Sequence, residues 1–207
     1  MRRRDRKDRV RRDRVRIVAG RHRGRRLLAP TGETVRPTSD RAREALFNIL
    51  SHGQLAAAGI PFAEAAVLDA FAGTGALGLE ALSRGAAEAV FIEKDREALA
   101  ILRKNIEALA EGLRSRIVPG DATRPPRALS GCTVAFIDPP YRSGLAAPAL
   151  QALDAAGWFA GEALAIVEVA AREELSPPAG FTLVDERVYG TAHLVFLRRA
   201  QIRGVAR

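Results

Sequence analysis

Val67-Leu-Asp-Ala-Phe-Ala-Gly-Thr-Gly-Ala-Leu-Gly78 passes from a short apolar run into a glycine-rich turn and then into a helical pattern. Gly73, Gly75 and Gly78 have G-x-G-x-x-G spacing, which lets a backbone turn tightly between a strand and a helix and come close to a ligand. That spacing alone also suits a nicotinamide dinucleotide. Asp69 weighs against one, because a carboxylate in the turn repels a pyrophosphate and complements an ammonium. Glu93 closes the next apolar run, where a carboxylate can accept the two hydroxyls of a ribose. Asp121-Ala122 closes the third, where an acid or amide can meet an adenine amine; a surface turn explains Asp121 equally well.

Outward from this turn the pattern alternates. Strands are predicted over 66–69, 89–92, 116–118, 134–137 and 163–169, with helices over 77–83, 96–110 and 145–156 between them. Two last strands, 181–188 and 192–197, are joined through Gly190 as an antiparallel pair. Alternation of this kind predicts an α/β fold, a mostly parallel sheet with helices on both faces. Ligands then bind outside the carboxyl ends of the strands. Upstream, Val15, Ile17 and Ala19 alternate and Gly20 and Gly24 punctuate, which predicts a β-hairpin over 15–35. Pro37 and a Thr-Ser-Asp cluster start a helix over 38–51.

Val134-Ala-Phe-Ile-Asp-Pro-Pro-Tyr141 is an apolar strand closed by an acid, two prolines and an aromatic. The prolines stiffen the backbone and remove two amide donors. Such a corner suits the amine of a nucleobase, whose lone pair is delocalised into the ring. Asp138 and the Pro139 carbonyl can accept its N–H groups and aim the lone pair, and Pro140 fixes the turn. Tyr141 offers a face for an extruded base, worth about 1–3 kcal/mol. On this reading the ring matters and the hydroxyl does not, so phenylalanine would serve as well.

The 207 residues carry a net charge of +9, unevenly placed. Residues 1–26 hold fourteen of the thirty-three Lys and Arg and three acids. The rest holds nineteen basic and twenty-one acidic residues, so the positive excess sits at one end, where it suits a polyanion. Residues 1–14 read as a disordered basic extension. One cysteine, Cys132, excludes an internal disulfide and has no neighbouring base in the sequence to activate it. No secretory signal, membrane-length apolar run or Cys/His metal spacing is seen, and we expect no membrane and no metal.

The glycine loop with Asp69, the acid Glu93 and Asp138–Tyr141 resemble class I S-adenosylmethionine-dependent methyltransferases that act on amino groups. Ile17-Val-Ala-Gly-Arg-His-Arg-Gly-Arg-Arg-Leu27, Arg36-Pro-Thr-Ser-Asp-Arg-Ala-Arg-Glu-Ala-Leu-Phe-Asn48 and Phe71–Arg84 narrow the resemblance to the bacterial 16S ribosomal RNA guanine-N2 methyltransferase family. The resemblance spans residues 15–199, leaves out the extension at 1–14, and admits Phe where Tyr141 stands. It implies a Rossmann-like fold with a seven-stranded sheet and an N-terminal hairpin. The division is a basic extension at 1–14, a hairpin-and-helix appendage at 15–52, the methyltransferase domain at 53–199 and a tail at 200–207.

The resemblance also implies S-adenosylmethionine as methyl donor. Its pocket would comprise Asp69, Phe71, Gly73, Gly75, Glu93, Asp121, Ala122 and Asp138, with Thr38 and Arg43 from the entry helix. The substrate would be guanine 966 N2 of 16S rRNA in an assembling 30S particle, contacted by Arg21, Arg23, Arg25, Arg26, Arg36 and Arg41. We expect a cytoplasmic monomer that does not act on DNA, because so short a chain has no long target-recognition domain. Rival readings are an adenine-N6 methyltransferase, a protein-glutamine methyltransferase, which usually has Asn in place of Asp138, and a non-catalytic RNA-binding factor on the same fold. Local pairs of solvated arginines with Asp40 and Glu44 are a plainer account of the entry helix.

Overall fold

The computed structural model describes residues 15–30, 40–50 and 62–200. Seven strands form one sheet: β1 (Ala66–Ala70), β2 (Glu88–Glu93), β3 (Ser115–Pro119), β4 (Cys132–Ile137), β5 (Phe159–Ala170), β6 (Phe181–Tyr189) and β7 (Ala192–Arg199). Their order is β3-β2-β1-β4-β5-β7-β6. The first five are parallel, and β7 pairs antiparallel with both β5 and β6. The order reverses between β1 and β4, the switch point where a crevice opens beyond the strand ends.

Among the described residues four α-helices cover the sheet unequally: α1 (Asp40–Ile49), α2 (Ala76–Ser83), α3 (Arg96–Ala108) and α4 (Ala146–Ala155). Leu46 and Phe47 of α1, Leu79 and Leu82 of α2, and Leu102 and Ile106 of α3 pack with Val67, Phe91, Val134 and Phe136 in one core. Ala149, Leu150 and Leu153 of α4 pack with Leu68, Ile92, Ala135 and Ile137 in the other. Strand residues thus alternate between two apolar layers, which is why the central strands read as unbroken apolar runs. At about 25 cal/mol per Å² of apolar surface, each fully buried large side chain contributes about 1.5–3 kcal/mol.

In its described part the N-terminal segment folds back as a short hairpin, the Ile17 amide donating to the Arg25 carbonyl and the Leu27 amide to the Val15 carbonyl, both at 2.9 Å. Its one antiparallel bridge is Arg16 to Arg26. Past Ile17 the chain turns to a side-chain acceptor: the Val18 and Ala19 amides donate to the buried Glu80 carboxylate, at 2.7 and 3.0 Å. Further along, the Arg21 amide donates to the Ser83 carbonyl at 2.9 Å and the Ser83 hydroxyl to the Ala19 carbonyl at 2.6 Å. Gly20 has φ +78°, and a Cβ there would lie 1.9 Å from the Ser83 carbonyl oxygen. Val15, Ile17 and Leu27 join the same core as α1 and α2. The segment is therefore an integral layer on α2.

Candidate active site

Every acid that closes a central strand lies at one rim of the sheet, around a cavity of about 830 Å³. β1 ends in Asp69-Ala70, followed by Phe71 at φ +64°. A bulky residue in the left-handed region is strained and persists where its surroundings fix it. Phe71, Gly73 and Asp69 all line the cavity. The buried Asp69 accepts the Gly78 amide at 2.8 Å on Oδ2, which ties the strand end to α2. Burial pushes its carboxyl from 3.8 up to about 7; the Gly78 bond opposes the rise and the Glu93 charge adds to it.

Glu93 ends β2 and faces the same cavity. Its Oε2 accepts the Gly73 amide at 2.7 Å, and its Oε1 accepts the Lys94 and Asp95 amides at 2.8 Å. The carboxylate thus braces the glycine loop from beneath. Gly75 is placed differently from the expectation. It lies at the start of α2 with φ +81°, and a Cβ there would come within 2.4 Å of Leu102 and 3.3 Å of Phe91. It serves close helix packing; Gly73, Thr74 and Ala76 are the loop residues on the cavity wall. Ala122 lines the cavity as expected, whereas the Asp121 carboxylate turns back on Thr123, whose amide and hydroxyl donate at 2.9 and 2.8 Å. Those bonds, with Lys94 at 3.2 Å, hold it down at about 2.

Asp138, Pro139, Pro140 and Tyr141 line the same cavity from the end of β4. The Pro140 carbonyl accepts the Ser143 amide at 3.2 Å, and Arg142 takes φ +57°, so the corner closes on itself. Burial raises the Asp138 carboxyl well above 3.8, with Glu168 and then Asp69 adding to the rise. Tyr141 is 40 % exposed. Its hydroxyl is not idle, as a purely stacking role would have it: it donates to Glu168 Oε1 at 2.5 Å. Glu168 lies near the end of β5, is buried, and lines the cavity. It was not legible as a site residue, because it is one acid within a long apolar run. Cys132 sits at the other end of β4 from Asp138, and burial pushes its thiol up to about 12.

Arg43 joins the cavity from α1, buried rather than solvated, and donates to the Arg16 carbonyl at 2.8 Å. Thr38 and Arg36 lie outside the described residues, as does the side chain of Arg41. The arginines of the fold-back divide into two kinds. Arg21 pairs with the buried Glu111, which also holds His22 and Arg114, and Arg25 donates to the Ala108 carbonyl at the end of α3 at 2.7 Å. Both have partners within the protein and remain exposed, as do Arg23 and Arg26.

The donor set fits one class of nucleoside cofactor better than others. Six acids line the cavity: Asp69, Glu93, Asp95, Glu97, Asp138 and Glu168. They oppose a pyrophosphate and favour a ligand with a cationic amino-acid end and a ribose diol.

The family model described as "Conserved hypothetical protein 95" matches residues 15–198. The curated Ribosomal RNA small subunit methyltransferase D of Escherichia coli is 41% identical over 191 residues, which are 90% of this chain and 91% of that protein. The protein of the same name from Haemophilus influenzae is 36% identical over 183 residues, 85% and 89% of the two chains. A solved Escherichia coli structure, provisionally designated a methyltransferase, is similar with a TM-score of 0.75 at 39% identity, covering 91% of this chain and 99% of its own.

Proposed function

The chain belongs to the conserved hypothetical protein 95 family, and from that footing we propose that it is a small-subunit ribosomal RNA methyltransferase that uses S-adenosylmethionine to methylate the N2 amine of one guanine, position 966 of 16S rRNA. The observation that carries this reading is the shared cavity. The glycine loop with Asp69 and Glu93 lines it together with Asp138–Tyr141, so a methyl donor and a base amine would meet there.

Asp69 would hold the ammonium of the methionine end and Glu93 the ribose hydroxyls, with Phe71, Gly73 and Ala122 along the nucleoside. When bound, S-adenosylmethionine would supply an electrophilic methyl group from its sulfonium, the sulfur keeping the electron pair of the broken C–S bond and leaving as a neutral thioether. Asp138 and the Pro139 carbonyl accept the two N–H groups of the amine and hold its nitrogen towards tetrahedral geometry. Tyr141 keeps the base in plane. Once methylated, the nitrogen is cationic and acidic, and Asp138 takes its proton or passes it to water. No thiol or metal enters the sequence of events. Arg23 and Arg26, with the basic residues outside the described segments, would hold the phosphates that present the base.

The reading is tested by nucleoside mass spectrometry of 16S rRNA from cells lacking the gene. Loss of one N2-methylguanosine, restored by the wild-type protein and not by Asp138→Ala, is expected. An unchanged modification pattern overturns it.

A further inference from the structure

β4 and β5 run side by side with Ile137 opposite Val167. The next residues on each, Asp138 and Glu168, therefore stand as neighbours at the carboxyl ends, about one strand spacing of 4.8 Å apart. Glu168 is 5% exposed, lines the same cavity, and accepts the Tyr141 hydroxyl. Orienting the amine makes no use of it. Burial, and after it repulsion from the Glu168 charge, raises the Asp138 carboxyl. Such an arrangement is costly to maintain and is offset when N–H donors are brought against it.

Resting on the guanine-N2 reading, we infer that Glu168 is a specificity-determining residue that accepts the N1–H of the target guanine while Asp138 accepts the adjoining amine. Guanine carries an N1–H donor beside its amine on the Watson–Crick edge. Adenine carries a lone pair at N1 beside its own amine. One carboxylate next to Asp138 attracts the first and repels the second, so it supplies both the favourable contact and the penalty that specificity needs. A site built to accept a donor rejects an analogue lacking it far more strongly than an apolar pocket does. A carboxylate accepts at about four lone-pair positions, so a bond from Tyr141 and one from the base are compatible. Tyr141 then fixes the rotation of the carboxyl that reads the base edge.

The test uses the full-length protein and RNA substrates with guanosine or 2-aminopurine riboside at the target position. Both have the 2-amine, but only guanosine has N1–H; 2-aminopurine has a lone pair there. For the wild type, kcat/KM is expected to favour guanosine by roughly a hundredfold or more. In Glu168→Gln, whose amide can donate to that lone pair, the ratio is expected to shrink at least tenfold. Tyr141→Phe, which frees the rotation of that carboxyl, should lower transfer to both substrates and shrink the ratio by less than Glu168→Gln does. An unchanged ratio in Glu168→Gln overturns the inference and leaves Glu168 as a support for Tyr141. If Glu168→Gln turns over too slowly to assay, equilibrium competition between the two RNAs reads the same preference, and no change there also overturns it. Wild-type transfer to neither substrate instead overturns the guanine-N2 reading itself, whereas equal transfer to both overturns only the role of Glu168.

Discussion

Asp69 Oδ2 accepts the Gly78 amide at 2.8 Å across the glycine loop, so the carboxyl that faces the cavity is also the clamp between β1 and α2. That dual position has a pH consequence. Its carboxyl lies near 7 in the folded protein, above the ordinary 3.8. Below the ordinary value it is protonated in both folded and unfolded chains and contributes nothing to the pH dependence. As pH rises from about 4 to about 7, the unfolded chain ionises first, so the stability of the ligand-free protein falls. A cationic ligand reverses the preference by favouring the charged form.

Affinity for S-adenosylmethionine is therefore expected to rise about tenfold between about pH 6 and pH 8, as expected for one group titrating near 7. Calorimetry across that range checks it. In Asp69→Asn the slope should vanish along with most of the affinity; a slope that persists would assign the titration to another group.

Asp138→Ala should reduce single-turnover methyl transfer by about a thousandfold, the scale on which a single polar group at a reacting centre acts. Binding of the methyl donor, followed by calorimetry, should be largely kept. Loss of both together would make Asp138 a determinant of donor binding rather than of amine orientation.

Tyr141 separates two contributions. Tyr141→Phe removes the bond to Glu168 and should lower kcat/KM roughly tenfold, near the lower end of a hydrogen bond to an acid. Tyr141→Ala also removes the stacking face and should lower it roughly a hundredfold or more. Equal losses in the two variants would show that the ring contributes nothing.

Glu111 is buried and holds Arg21, His22 and Arg114 together. Glu111→Ala should destabilise the fold by about 1–2 kcal/mol. The cost is moderated because Arg21, half exposed, can rehydrate. Urea unfolding should show a lower midpoint at unchanged slope. A changed slope would mean that the fold-back had come away from α2 before global unfolding.

The sheet was legible because its central strands are buried on both faces and each ends in an acid or a turn. Asp69, Glu93 and Asp138 could be placed for the same reason: a lone carboxylate closing an apolar run falls at the carboxyl edge. Glu168 escaped because its importance is set by register. Thirty positions separate it from Asp138, and only the β4–β5 pairing makes them neighbours. Glu80 and Glu111 carry no local sign of their partners, since nothing nearby in the sequence signals that a distant segment will bring amides and guanidinium groups to them. The same contacts bear on the hairpin: alternation at Val15 and Ile17 predicted its burial, but not that Glu80 would take the Val18 and Ala19 amides just past it.

Helix α2 starts at the glycine loop and ends at Ser83, which grips residues 19–22 of the basic fold-back. Its eight residues span about 12 Å. It therefore acts as a rigid spacer between the methyl donor's loop and the arginines proposed to meet phosphate. A polyanion seated on those arginines would be held at a set distance from the reaction centre, as a workpiece is clamped at a fixed offset from the tool. Selection of the target nucleotide would then begin as a measurement of length, before any base edge is read.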